Sequence, residues 1–369
     1  MNPKQQFCHE KSCHASGQVG QGNIVIHSRA DKRYKCKCCG KTFTESKGTA
    51  VYGLKKAPEL YVTVISLLSH GCPLQAIVAT YGLDERTVQS WRVKAGLHCQ
   101  EVHEHLVAES QLDLGQVQAD ELRVKTQGGL FWMAFAMMVS TRLWLGGAIS
   151  PKRDKQLIRQ VAAKVRQVAL CRPLLLAVDG LVSYVGAFRA AFRTPLRDGT
   201  TGRPRLIAWP DINIVQVVKR RNAKTLEIER RIVQGDEAQV TALINDSQGG
   251  GVINTAFIER LNATFRQRIH CLARRTRSLA STQRTLDASM YLMGCTYNFC
   301  SLHRSLGQTI IVHPNGQERK VLCTPAMAAG ITNHLWSMTE LLLFKVPTAY
   351  QPPKRRGRPK ILACSCGLV

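Results

Sequence analysis

Two pairs of cysteines near the start of the chain constrain its fold more than any other feature. Cys8-x4-Cys13 is followed, after 22 intervening residues, by Cys36-x2-Cys39 in the run Arg33-Tyr-Lys-Cys-Lys-Cys-Cys-Gly-Lys-Thr-Phe43. Two thiolate pairs brought face to face make a tetrahedral site for one structural Zn²⁺. Gly40 is expected to take the left-handed backbone that turns amide groups toward the sulfurs, with Phe43 packing beneath. Cys38 is then a spare thiol. His9 and His14 are alternative ligands, and buried free cysteines are the competing reading. Five of the 14 cysteines lie within the first 39 residues, and the rest are scattered. With no apolar leader in Met1–Gln6, clustered thiols read as metal ligands in a reducing compartment rather than as a disulfide scaffold. A zinc ribbon over residues 1–50 is the expectation.

Charge narrows the partner. Lys and Arg number 51 against 25 Asp and Glu, a formal net charge of +26 on 369 residues. Such an excess selects a polyanion, with nucleic acid first. A hydrophobic content of 44% excludes disorder for most of the chain. The most apolar run, 130–149, is interrupted by Ser140, Thr141, Arg142 and a glycine pair, so no membrane span is expected.

Residues 54–97 read as a helix-turn-helix. Ala57 to Ser69 has helical periodicity through Leu60, Val64, Leu67 and Leu68. Pro73 suits the first turn of a second helix ending at Tyr81, and Gly82-Leu83 makes the turn. Asp84 is a good N-cap for a third helix running to Lys94, with Gly96 as its terminator. In that reading the third helix enters the major groove, and Arg86, Thr87, Gln89, Ser90 and Arg92 are its DNA-binding candidates. A plain three-helix bundle is the alternative. Residues 98–111, with His98, His103 and His105, read as a linker helix rather than as a metal site.

From Leu112 the pattern changes to strands. Gly115 to Lys125 alternates, Gly128-Gly129 signals a hairpin, and Leu130–Val139 and Leu143–Ile149 follow as strands. Asp154–Val168 is an amphipathic helix. Pro173–Asp179 is a buried strand ending in a carboxylate, and Leu181–Phe192 is the next helix. That order opens a ribonuclease-H-like fold, so the expected class is α/β, with a catalytic core over 112–310. Asp120 lies in the first strand and Asp179 at the end of the fourth, where an unpaired carboxylate is costly to bury. Glu259 lies on a later helix in Phe257-Ile-Glu259-Arg-Leu-Asn262. Three carboxylates holding two Mg²⁺, for which Mn²⁺ can substitute, would form a site for in-line attack at phosphorus. Glu121 is expected on the opposite strand face, solvated. Each acid also has an ordinary reading: Asp179 as a helix cap, Glu259 as an ion-pair partner.

Between 196 and 251 the expectation is an inserted basic β element, ending in a loop at Ser247–Gly251. Seven arginines against one acid over 259–284 suggest a phosphate track; Arg266, Arg268, Arg274, Arg275 and Arg277 are its candidates. Asn262, Tyr297, Asn298 and His303 are candidates for supporting the site or pinning a helix end. A helical segment is expected over 311–346 and a basic tail over 347–369. In the tail, Arg356-Gly-Arg358-Pro has the extended, arginine-rich character that suits a narrow minor groove, an AT-hook-like feature. Cys364 and Cys366 have no assigned role.

Taken together, the ribbon, the helix-turn-helix, the strand ending Asp179-Gly180 and the Glu259–Asn262 helix resemble the insertion-sequence-1-type transposases. Tyr297-Asn-Phe299…His303 and Thr324-Pro-Ala-Met-Ala-Ala-Gly330 are similar too. The resemblance spans about residues 7 to 345. It implies that Asp120, Asp179 and Glu259 form an acidic triad using Mg²⁺ to cut and join element ends. Double-stranded DNA (terminal repeats and target) would be the partner, with homo-oligomers forming on DNA ends. A cytoplasmic, nucleoid-associated location in a prokaryotic cell would follow. A ribonuclease-H-like nuclease without strand transfer and a catalytically silent DNA-binding regulator remain alternatives.

Overall fold

The computed structural model describes residues 1–352 apart from 198, 200, 201, 222–225, 277, 278, 281 and 312–317. Arg277, Arg356, Arg358, Cys364 and Cys366 therefore lie outside the described residues. The chain divides into two compact units: Met1–Gly48 with the chain from Lys345, and Thr49–Phe344.

The first unit is a three-stranded antiparallel sheet of β1 (Ile24–Ser28), β2 (Arg33–Cys36) and β3 (Thr42–Thr44). Tyr34, Phe43 and Ile24 pack with Cys8, Cys13 and Cys36 in one small core. The segment expected to begin a free tail at 347 instead completes this unit. Thr348 accepts a hydrogen bond from Ser16 through its carbonyl, and the Gln351 N–H donates to Lys11 O at 2.7 Å. Lys345 donates to Gln6 and to the Glu45 carbonyl. A sheet this small gains much of its burial from such added chain.

The second unit begins with helices α1 (Pro58–Ser69), α2 (Leu74–Tyr81) and α3 (Glu85–His103). Asp84 caps α3, accepting from the Thr87 N–H at 3.2 Å. Gly82 turns left-handed after α2, at φ 59°. Gly96 does not end α3, and no separate linker helix follows. The helix runs on to His103 and then into a wider turn over Glu104–Ala108. Gly96 serves packing instead: a Cβ there would stand 2.2 Å from Ala288 O of the helix beneath.

Three antiparallel strands follow, β4 (Gln116–Thr126), β5 (Gly129–Met138) and β6 (Trp144–Ser150), then α4 (Lys155–Val168), β7 (Leu174–Asp179) and α5 (Val182–Ala191). All six lie within a few residues of their expected bounds. An exposed hairpin, β8 (Arg193–Leu196) and β9 (Arg205–Ala208), precedes β10 (Ile212–Arg221), β11 (Leu226–Gln234) and α6 (Glu237–Gln248). The central sheet has the order β11-β10-β7-β4-β5-β6. In it β7 runs parallel to β4, and β10 runs parallel to β7. The stretch expected as an insertion therefore supplies two strands of the main sheet. Residues Ile212–Val217 are all buried, because β10 has neighbours on both edges. Likewise α6 packs onto the sheet, where the Ser247 hydroxyl bonds Gln116, so Ser247 and Gln248 are helical rather than part of a loop.

Helices α7 (Ala256–Arg268) and α8 (Gln283–Phe299) complete the core. A hairpin of β12 (His303–Ile311) and β13 (Glu318–Cys323) and two short helices, α9 (Pro325–Ala328) and α10 (Met338–Leu343), end the unit. The segment expected to be helical from 311 thus opens with a strand pair. No helix among the described residues is long and apolar enough to cross a membrane.

Candidate functional site

Two clusters of metal-ligand side chains occur among the described residues, one in each unit. In the first unit the sulfurs of Cys8, Cys13, Cys36 and Cys39 lie within 4.8 Å of one another. The Cys8–Cys39 and Cys13–Cys36 separations are 3.6 and 4.0 Å. A tetrahedron with metal–sulfur bonds of about 2.3 Å has edges of about 3.8 Å, so the four thiols fit a tetrahedral ion. Gly40 is left-handed at φ 71°, as expected, and Phe43 is buried beneath. Burial pushes the Cys8 and Cys13 thiols up. Burial also opposes ionisation of Cys36. There, however, the Cys39 and Cys38 backbone N–H groups bond the sulfur and bring it down to about 7. Cys38 is exposed and outside the cluster. His9 lies in a tilted contact with Phe7 and edge to face against Phe43, and His14 lies against Tyr350; neither joins the ligand group.

The second cluster sits where β4 runs past the end of β7. Pairing between these strands stops at Ala119–Val178, so Asp179 ends β7 beside Asp120 and Glu121 in mid-β4. Carboxylate oxygens of Asp120, Glu121 and Asp179 lie within 4.8 Å of one another. The partners along β4 divide by strand face. Gln116, Gln118 and Asp120 bond to Ser247, to Asn254 and Ile258, and to Asn262. Glu121 faces the other way, toward α5. The expectation of opposite faces is met, but Glu121 is not solvated. It is buried, accepting from the Tyr184 hydroxyl at 2.7 Å and paired with Arg153.

Each acid is held by named partners. Asn262 Nδ2 donates to Asp120 Oδ2 at 2.7 Å. Asp179 Oδ1 accepts from the Leu181 N–H at 2.9 Å, so it also caps the chain entering α5. Its other oxygen lies 3.2 Å from Arg153 Nη2, and Arg153 is steadied 5.1 Å over the Trp132 ring. Burial pushes the Asp120 carboxyl up to about 7, and the Glu121 charge adds to the rise. Glu121 is raised as well, by burial and then by Asp179. Raised carboxyls this close together suit a hard cation bound through oxygen.

Glu259 is not in that group. It lies on α7 one turn before Asn262, half-exposed, and is tied to Lys219 and to the Thr255 hydroxyl. Partial burial opposes its ionisation, but these two hydrogen bonds hold its carboxyl below the usual range.

The remaining candidates are spread out. Arg86 and Ser90 on α3 are exposed, Thr87 and Gln89 half-exposed. Arg92 is half-buried, bonding Gln89 at 2.8 Å. Arg274 and Arg275 are exposed, Arg266 and Arg268 half-buried. Asn298 is fully buried and clamps β6, donating to Trp144 O and accepting from Trp144 N, both at 2.9 Å. Tyr297 packs edge to face on His303 at 4.7 Å. Arg153 and Tyr184 were not legible as site residues. The first lies in an ordinary turn before a helix cap, and the second belongs to an apolar helix stripe. No family model matches the chain, and no curated protein matches it.

Proposed function

We propose that the chain is a DNA transposase whose core is ribonuclease-H-like and cuts and joins DNA by divalent-metal-dependent phosphoryl transfer. The observation that carries the reading is the meeting of Asp120 and Glu121, in mid-β4, with Asp179 at the end of β7. Antiparallel β5 and β6 on one side of β4 and parallel β7 and β10 on the other is the order expected of such a core. The +26 charge and the Asp84-capped α3 support a DNA substrate, and the four cysteines support a structural Zn²⁺.

Asp120 and Asp179 would hold Mg²⁺, with Glu121 or Glu259 completing the set. Bound Mg²⁺ would supply charge neutralisation at the scissile phosphate and a more acidic attacking hydroxyl. The chain's own groups do the rest. Asn262 orients the Asp120 carboxylate, and Tyr184 orients Glu121. Arg153 pairs with Glu121 and Asp179, and Lys219 with Glu259; both cations are placed to turn toward phosphate oxygens.

The test is strand transfer. DNA ends bearing the inverted repeats that flank the gene are incubated with Mg²⁺ and a target plasmid. Joined product that disappears in Asp179→Asn and Asp120→Asn is expected. Cutting without joining would instead identify a nuclease. The pairing of Glu121 and Asp179 with Arg153 and of Glu259 with Lys219 favours a second reading, a silent DNA-binding regulator. It would bind ends specifically without cutting them, before and after Asp179→Asn.

A further inference from the structure

Arg260 follows Glu259 on α7, about 100° further round the helix. Three guanidinium groups, one from the β5–β6 turn and two from α7, surround one pair of rings, Tyr297 and His303. Arg142 comes from the β5–β6 turn, where its backbone is left-handed at φ 61°. Its guanidinium lies 3.9 Å over the Phe257 ring. Arg260 and Arg268 come from α7. All three act electrostatically on the Tyr297 phenol of α8 and the His303 imidazole of β12.

The charge here is not balanced. Arg142 and Arg268 are half-buried, and among the described residues none of the three arginines forms an ion pair with a carboxylate. Arg142 donates to the Val139 carbonyl, and Arg268 reaches Ser301 Oγ at 3.4 Å. The Tyr297 hydroxyl has no hydrogen-bond partner among the described residues. Burial, and then Arg260, Arg142 and Arg268, bring His303 down to about 4, so its ring adds no charge at neutral pH. Half-buried cations without a counter-charge are costly. Guanidinium forks match tetrahedral oxyanions, which accept several donors at once.

We propose that Arg142, Arg260 and Arg268, with the Tyr297 hydroxyl, form a phosphate-binding site, and that its occupant is a backbone phosphate of DNA. The phosphate site stands on the Arg142–Phe257, Arg268–Ser301 and Tyr297–His303 contacts and the unpaired charge around them; its assignment to DNA rests on the proposed function.

The experiment uses the full zinc-loaded chain. Thermal unfolding is followed in inorganic phosphate against chloride at matched ionic strength, and duplex DNA affinity is measured across a salt series. Phosphate is expected to raise the melting temperature of the wild type but not of Arg142→Gln/Arg260→Gln. That double variant should bind DNA at least tenfold more weakly, with a salt slope shallower by about 1, since losing one phosphate contact removes about one released counterion. The charge-retaining Arg142→Lys/Arg260→Lys should recover most of both effects, which a packing role would not allow. Equal phosphate stabilisation of wild type and Gln variant, or none in the wild type, overturns the site. Lost phosphate stabilisation with unchanged DNA affinity makes free phosphate the occupant and overturns the assignment to DNA. Asp179→Asn should keep both effects. A wild type that binds DNA through these arginines yet neither cuts nor joins it would sink the transposase reading and leave this site standing.

Discussion

The four-cysteine cluster and the acidic strand end are both sets of ligands, yet they are built in opposite ways. The cysteines come from short local turns around a three-stranded sheet. The ligands are much of that unit's core, since Cys8, Cys13 and Cys36 are themselves buried with Tyr34 and Phe43. The carboxylates come from β4 and β7, 58 residues apart between Glu121 and Asp179 (179 − 121). They sit beside a core built from apolar side chains. One unit is organised around its ligands; the other tolerates them at a cost. Metal should therefore control stability in the first and chemistry in the second.

The largest effect expected is loss of the first unit on removing its metal. Binding free energies of structural zinc run to about 10 kcal/mol or more and appear as folding energy. Cys36→Ser should release about one equivalent of zinc by elemental analysis and unfold Met1–Gly48. The melting of the α/β unit should be unchanged. Loss of both units together would break the comparison.

At the acidic end the sign is reversed. Asp120 has its carboxyl raised from 3.8 to about 7. A raised carboxyl contributes stability below its unfolded value, and that stability is lost as pH rises through the folded value. Without added Mg²⁺, the second unit should weaken between about pH 4 and pH 7. Asp120→Asn should remove the larger part of that dependence, leaving what the raised Glu121 and Asp287 carboxyls contribute, and stabilise the unit at pH 8 by up to about 4 kcal/mol. Equilibrium urea unfolding across pH checks it; a destabilised Asn variant at pH 8 would contradict the account.

Gly96→Ala separates packing from either site. Its Cβ would stand 2.2 Å from Ala288 O, so α3 and α8 must part, at about 1–3 kcal/mol. Chemical denaturation should show that loss in the second unit with zinc content intact. The smallest effect is at Tyr184→Phe, which removes one buried hydrogen bond to Glu121 and should cost about 1–2 kcal/mol. Because Arg153 still pairs with Glu121, metal-dependent activity should fall without vanishing.

The contrast also explains what could be read beforehand. Cys-x2-Cys-Gly-Lys-Thr-Phe is a local geometry, so spacing and one left-handed glycine sufficed for the cluster. That Lys345 to Gln351 would complete the same unit had no local signal. Alternation assigned Asp120 and Glu121 to opposite faces correctly. Solvation of Glu121 was the wrong inference because α5 covers that face and brings Tyr184 to it. The bounds of β4 to α5 followed from periodicity. Membership of β10 in the main sheet did not, since alternation describes a strand but not its neighbours. Gly96 was misread because a glycine that stops a helix and one that admits another helix look alike in sequence. Arg142 read only as a break in an apolar run and Arg260 only as one of seven arginines, for a similar reason: single arginines in a basic chain acquire meaning only when the fold brings them together.

The most direct test of the two-site account is a Mn²⁺-binding titration of the zinc-loaded chain, followed by electron paramagnetic resonance. The account predicts Mn²⁺ binding in the wild type that is lost in Asp120→Asn and in Asp179→Asn, with zinc content unchanged in all three proteins. Mn²⁺ binding that survives both substitutions, or that fails in the wild type, would contradict it.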